Sequence, residues 1–157
     1  MPLILLHTEI AAPVERCFDL ARSMEVHVLS MTASNERIVS GKKSGLIEVG
    51  ETVTFRAKHF GITQEHTGEL AEMNRPDFFV DTMLSGTFKS LRHKHIFIEK
   101  GNGTIMKDEF FYESPLGVLG KIADALFLKK YLEKILTERN AFIKNCAESN
   151  EWKTILV

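Results

Sequence analysis

The sequence predicts an α+β fold in which a curved antiparallel sheet wraps around one long C-terminal helix. Two observations carry this. Between residues 52 and 113, apolar residues recur with a period of two, in short runs separated by turn residues, as in a meander of half-buried strands. From Val118 onward the period lengthens to about 3.6, the spacing of a helix with one buried face.

The first strand covers Leu3 to Ala11 and stops at Ala12-Pro13. Proline suits the first turn of a helix, so Val14 to Ala21 reads as a short helix with Val14, Cys17, Phe18 and Ala21 on one face. Met24 to Met31 is a second short amphipathic helix, and a polar stretch and the Gly41–Gly45 loop follow. Thr52 to Phe60 turns Val53, Phe55, Ala57 and His59 to one side. Ile62 to Met73 then faces Ile62, Gln64, His66, Gly68 and Leu70 inward. After the Asn74-Arg75-Pro76-Asp77 turn come Phe78 to Ser85, with Phe79, Asp81 and Met83 in one parity, and then Phe88 to Glu99 and Thr104 to Glu113. Inward Phe88 and inward Leu91 have opposite parity, which calls for a bulge near Lys89-Ser90.

The last hairpin can be placed residue by residue. A two-residue Gly101-Asn102 turn, suited to positive φ, pairs Lys100 with Gly103. Phe97 then faces Met106, His95 faces Asp108, His93 faces Phe110 and Leu91 faces Tyr112. Under that one register Arg92, Lys94, Lys107, Glu109 and Glu113 all fall on the opposite side, so two separate alternations agree. Ser114-Pro115-Leu116-Gly117 ends the sheet. The helix that follows, about 30 residues and ~45 Å long, presents Leu119, Ile122, Leu126, Leu132, Ile135, Arg139, Phe142 and Cys146 at helical spacing. Phe127, Leu128 and Tyr131 widen its apolar stripe beyond what one sheet face requires.

The chain has 157 residues, enough for one domain over residues 1–157; the placement of the tail, 149–157, stays open. A formal charge of −1, from 20 Lys and Arg against 21 Asp and Glu, provides no long-range attraction for nucleic acid. No stretch approaches the ~20 apolar residues of a membrane-spanning helix, so no membrane insertion is expected. Two cysteines, Cys17 and Cys146, make no disulfide framework and read as inert packing thiols in a cytoplasmic protein, monomer or homodimer.

The stretch Ile10-Ala11-Ala12-Pro13-Val14-Glu15-Arg16-Cys17-Phe18-Asp19-Leu20 resembles the opening I-x-A-P-x-x-x-V-F-x-apolar of the SRPBCC superfamily. Gly50-Glu51-Thr52-Val53, the Arg75-Pro76 turn and Ser114-Pro115-Leu116-Gly117 before the long helix add to the likeness, which spans about residues 3 to 146. This is the helix-grip fold shared by START lipid-transfer domains, birch-pollen-allergen-like proteins and polyketide cyclase/aromatase domains. The chain most resembles small bacterial polyketide-cyclase-like members, some of which carry a cell division inhibitor label. The resemblance implies an apolar cavity between sheet and helix that binds a lipid, a polyketide or another hydrophobic small molecule.

The expected pocket residues are Phe55, His59, His66, Asp81, Met83, His93, His95, Asp108, Phe110, Tyr112 and Phe127. Met24, Val28, Leu29 and Met31 are expected at the mouth and His27 at the surface. A buried carboxylate beside an imidazole is costly unless paired, so the plainer reading of His93, His95, Asp81 and Asp108 is a satisfied polar group in a partly wet cavity. The functional readings are three: contact with the polar head of a carried ligand, acid–base work in a cyclase or dehydratase, or a protein-interaction subunit using Ile96, Ile98 and Phe111. His93-x-His95 sets two imidazoles about 7 Å apart along a strand, and Asp108 could complete a zinc or iron site. Lone H-x-H pairs are common on strands, so no metal and no cofactor is assigned.

Overall fold

A computed structural model describes residues 2–156, so the last residue of the expected tail lies outside the described chain. Seven strands form one antiparallel sheet: β1 (Leu3–Ile10), β2 (Arg37–Gly41), β3 (Thr52–His59), β4 (Ile62–Asn74), β5 (Phe78–Ser85), β6 (Ser90–Lys100) and β7 (Gly103–Glu113). Their spatial order is β1-β7-β6-β5-β4-β3-β2, a meander whose first strand closes onto its last. Helices α1 (Val14–Ala21) and α2 (Met24–Ser30) follow β1. The C-terminal helix runs from Gly117 to Glu148 as α3 (Gly117–Ala123), a π-helical stretch (Asp124–Leu128) and α4 (Lys129–Glu148).

The β6–β7 register is the one the turn and the two alternations require, with Lys100 opposite Gly103, His95 opposite Asp108 and His93 opposite Phe110. Gly101 takes φ +60°, a conformation glycine adopts without the Cβ penalty. Register shifts between Thr67 and Gly68 and between Leu70 and Glu72 bend β4 where the sheet curls. No bulge is needed near Lys89-Ser90. Phe88 belongs to an irregular 86–89 connection, and β6 begins at Ser90, which removes the parity conflict.

The long helix departs from one uniform stripe. A π turn adds a residue and rotates everything beyond it by ~100°. The buried face of α4 therefore runs through Leu136, Arg139, Asn140, Ile143 and Cys146, while Leu119, Ile122 and Leu126 in the first part are exposed. This is why a wide stripe is visible in the sequence: two phases of one helix overlap.

Core packing divides in two. Phe18 meets Phe79 and Phe97 edge-on, each at 5.3 Å between centroids, and joins Val26, Leu70, Met106 and Ile143 in the larger cluster. Ile4, Phe110, Tyr112 and Leu136 form the smaller one near the start of α4. The tail forms α5 (Trp152–Ile155), where the Arg16 guanidinium lies 3.9 Å over the Trp152 ring and fixes the chain end against α1. Among the described residues no helix is long and apolar enough to cross a membrane.

Candidate functional site

The curled sheet, α2 and α4 leave between them a cavity of about 240 Å³. The curvature accounts for it, because side chains from a bent wall diverge from a straight helix and cannot all reach it. Strand β3 contributes Val53, Phe55, Ala57 and His59; β4 contributes Gln64, His66 and Gly68; β5 contributes Phe79 and Asp81. Strands β6 and β7 add Leu91, His93, His95 and Phe110, and α4 closes the top with Leu132, Ile135, Leu136 and Arg139. The wall is mostly apolar, with a polar corner at Asp81, His93 and His95 and further polar groups at His27, Glu36, His59, Gln64 and His66.

That corner is an aromatic stack held by carboxylates. The His93 and His95 rings lie 3.7 Å apart, 30° from parallel. Phe79 stacks on His95 at 4.2 Å, and Phe110 meets His93 edge-on at 5.1 Å. His95 Nε2 is 2.8 Å from Asp81 Oδ2, and His93 Nε2 is 2.7 Å from Asp108 Oδ1. Behind the rings, Asn140 Nδ2 donates to Asp108 Oδ2 at 2.7 Å, and Arg139 Nη1 lies 3.9 Å from Asp108 Oδ1. Arg139 also donates to the Ala21 carbonyl at 3.0 Å, which ties the network to the end of α1.

The electrostatics follow from this arrangement. Burial and the adjacent His95 push His93 down to about 4, against the opposing pull of Asp108, so its imidazole is neutral at pH 7. Burial alone would raise Asp108, but its hydrogen bond with His93 and its close approach to His95 outweigh burial and hold the carboxyl well below the usual range. Asp81 is also lowered, because the bond to His95 overrides its desolvation. Burial lowers His59 and His66. Burial raises Cys17 and lifts Cys146 to about 11, so both thiols stay protonated at neutral pH.

Of the residues the sequence nominates, Phe55, His59, His66, Asp81, His93, His95 and Phe110 line the cavity together. Four lie elsewhere. Asp108 is fully buried behind the two histidines and acts on them rather than on the cavity. Tyr112 is buried in the smaller core cluster and donates its hydroxyl to Asp124 of the π turn. Met83 is half-buried on β5 opposite Gly68 and is not part of the cavity lining; its sulfur sits beside Gly86. Phe127 is 52% exposed, because the π turn carries it outward to pack edge-on against exposed Phe60, 5.8 Å away. Ile62, expected inward, is exposed at the tip of the β3–β4 hairpin.

At the mouth Met24 and Met31 line the cavity, whereas Val28 and Leu29 do not. His27, expected at the surface, lines it too: its ring stacks on Phe55 at 4.0 Å and its Nε2 pairs with Glu36. His59 Nδ1 and the Tyr131 hydroxyl, 2.6 Å apart, bridge the hairpin to α4. Helical spacing puts Arg139 in an apolar stripe and does not single out Asn140. The available signal is two polar residues adjacent on the buried helix face, a pattern that demands partners.

Neither a protein-family model nor a curated protein matches the chain. Solved structures do. A protein from Thermus thermophilus superposes with a TM-score of 0.71 at 18% identity, covering 93% of this chain and 99% of that one. A START superfamily protein from Mycobacterium smegmatis gives 0.70 at 13% identity, over 93% and 97% of the two chains. The major latex-like protein 151 of Panax ginseng gives 0.67 at 17%, over 94% and 98%. At such identities the likeness concerns the backbone and says nothing of the ligand. The chain has the helix-grip fold of the SRPBCC/START superfamily.

Proposed function

We propose that the chain binds a small, mostly apolar molecule between sheet and long helix, as a carrier or sensor, and that its hydroxyl or carbonyl end meets the Asp81–His93–His95 corner. The observation that supports this reading best is a cavity of about 240 Å³ with a mostly apolar wall, in which Asp81, His93 and His95 form a polar corner where a ligand would be oriented. Ligand pockets commonly measure ~300–1,000 Å³, so the occupant is compact, such as a bicyclic aromatic or a short polyketide, rather than a long-chain lipid. The neutral His93 imidazole and the ionised Asp81 together offer donors and acceptors to such a head group.

A titration with 1-naphthol, followed by its fluorescence, tests the reading. Saturable one-to-one binding is expected, and it should be lost in Ala57→Trp, which fills the cavity from the β3 wall. Binding that survives Ala57→Trp in a folded protein would contradict it. The acid–base alternative rests on one feature: Asp108 fixes one nitrogen of His93 while the ring itself lines the cavity, as an orienter fixes a base. Turnover of a poly-ketone by wild-type protein, abolished in His93→Ala, would favour it.

A further inference from the structure

We propose that Asp81, His93 and His95 form a binding site for one divalent transition cation, zinc or ferrous iron in class, at their corner of the cavity. One ligand atom from each of the three residues lies within 4.8 Å of the other two. Two imidazoles and a carboxylate with the remaining positions open to a cavity suit such ions. The same three side chains are the ones the ligand-binding reading sets against the head group, so ion and head group would share this corner of the cavity.

The supporting shell is what distinguishes this group from an ordinary buried pair. Asp108 Oδ1 lies 2.7 Å from His93 Nε2 and 3.4 Å from His95 Nδ1, so a single carboxylate backs both rings. Asn140 and Arg139 in turn hold that carboxylate. A carboxylate behind a ligating histidine fixes its tautomer and raises its basicity. His93 then keeps its proton on Nε2 and has Nδ1 free as a ligand atom, and His95 has Nε2 beside Asp81.

His95 Nδ1 supplies an independent observation. It is buried and lacks a hydrogen-bond partner. With Nε2 donating to Asp81, a neutral His95 presents a bare Nδ1 lone pair to the Asp108 carboxylate, acceptor against acceptor. A cation on Nε2 moves the imidazole proton to Nδ1, where it can be donated to Asp108. Between His95 and Asp81 the adjustment is small. Ligand atoms on a tetrahedral ion with bonds of ~2.0–2.1 Å stand ~3.3 Å apart, whereas His95 Nε2 and Asp81 Oδ2 now stand 2.8 Å apart. A second proton on His95 would satisfy the same atoms, and it is the rival occupant.

Chelator-stripped protein titrated with Zn2+ by calorimetry, and with Co2+ by visible absorption, decides between them. The expected result is one ion per chain, with Co2+ d–d bands. Affinity should fall at least tenfold in Asp81→Asn and His95→Gln, and by about 10–100-fold in Asp108→Asn, and stay unchanged in His7→Gln, an exposed histidine on β1. Should the site variants not fold, the wild type still decides, because bound Co2+ must broaden and shift the His93 and His95 ring resonances. No uptake, uptake indifferent to Asp81→Asn, or ring signals unmoved by Co2+ would overturn the proposal. Binding of 1-naphthol to metal-free protein reports on the ligand reading alone, so the two can fail separately.

Discussion

Replacing Asp108 by asparagine should destabilise the protein by about 3 kcal/mol, and the network shows why. The two side chains have nearly the same volume, so no cavity opens; the change is one of charge and hydrogen-bond polarity. In the native arrangement Oδ1 accepts from His93 at 2.7 Å and Oδ2 accepts from Asn140 at 2.7 Å, while Arg139 stands 3.9 Å away. An amide can keep one of these bonds. If its oxygen faces His93, its NH2 confronts the NH2 of Asn140. Turning Asn140 over to avoid this removes the acceptor that Arg139 now uses, at 3.2 Å. Arg139 is 6% exposed and would lose the carboxylate beside it. Breaking a buried ion pair by removing one partner typically costs ~3–5 kcal/mol, and the bonds Arg139 retains to Ala21 and Asn140 place this case at the low end. At ~2–4 °C per kcal/mol for a chain of this size, Tm should fall by about 6–12 °C. Urea unfolding at pH 7 followed by circular dichroism measures the change. A loss below about 1 kcal/mol would refute the view that Asp108 anchors the network.

The other predictions concern pH, the helix and the two core regions. Between about pH 6.5 and 4 the unfolded chain binds a proton at His93 that the folded chain does not, so stability falls as pH falls, by about 3 kcal/mol across the window from this residue alone. His59 and His66, lowered by burial, act in the same direction. His93→Gln should flatten that slope in denaturant titrations at stepped pH; an unchanged slope would contradict the assignment. Gly120→Ala should disturb the start of the long helix, because a Cβ there would overlap the Pro115 carbonyl oxygen; hydrogen exchange at residues 117–123 should quicken, and normal protection would count against it. Leu136→Ala should cost about 2–4 kcal/mol in chemical denaturation, while Phe127→Ala, exposed and packed edge-on against exposed Phe60, should cost under about 1. Equal costs would mean the helix phase is wrong.

The legible parts of this fold are those where two local signals constrain each other. The β6–β7 hairpin can be registered because the Gly101-Asn102 turn sets the offset and the charges on both strands then fall on one side; either signal alone leaves the register open. His93, His95 and Asp108 come within reach of one another as a direct consequence. The π turn is not legible, since one added residue resembles a broader apolar stripe and only tertiary packing shows where the phase changes. Phe127 is misplaced for that reason, and Tyr112 because alternation identifies the inner face without separating cavity wall from packed core. Asp81 is found by parity, but its place as the third member beside both histidines depends on the β5–β6 register, which crosses an irregular loop and carries no turn signal. Asn140 and Arg139 lie more than 30 residues from Asp108, a distance over which a single sequence holds no pairing information. The weak β2, Arg37–Gly41, escapes notice because it is an edge strand with little apolar content.

Occupation of the cavity itself is tested most directly by a nuclear Overhauser measurement on isotope-labelled protein saturated with 1-naphthol. Contacts are expected from the naphthol ring protons to the Phe55, Ala57 and Leu136 side chains, with the His93 and His95 rings shifting at the same saturation point. Contacts confined to exposed residues such as Leu119 or Ile122, with the interior resonances unmoved, would contradict it.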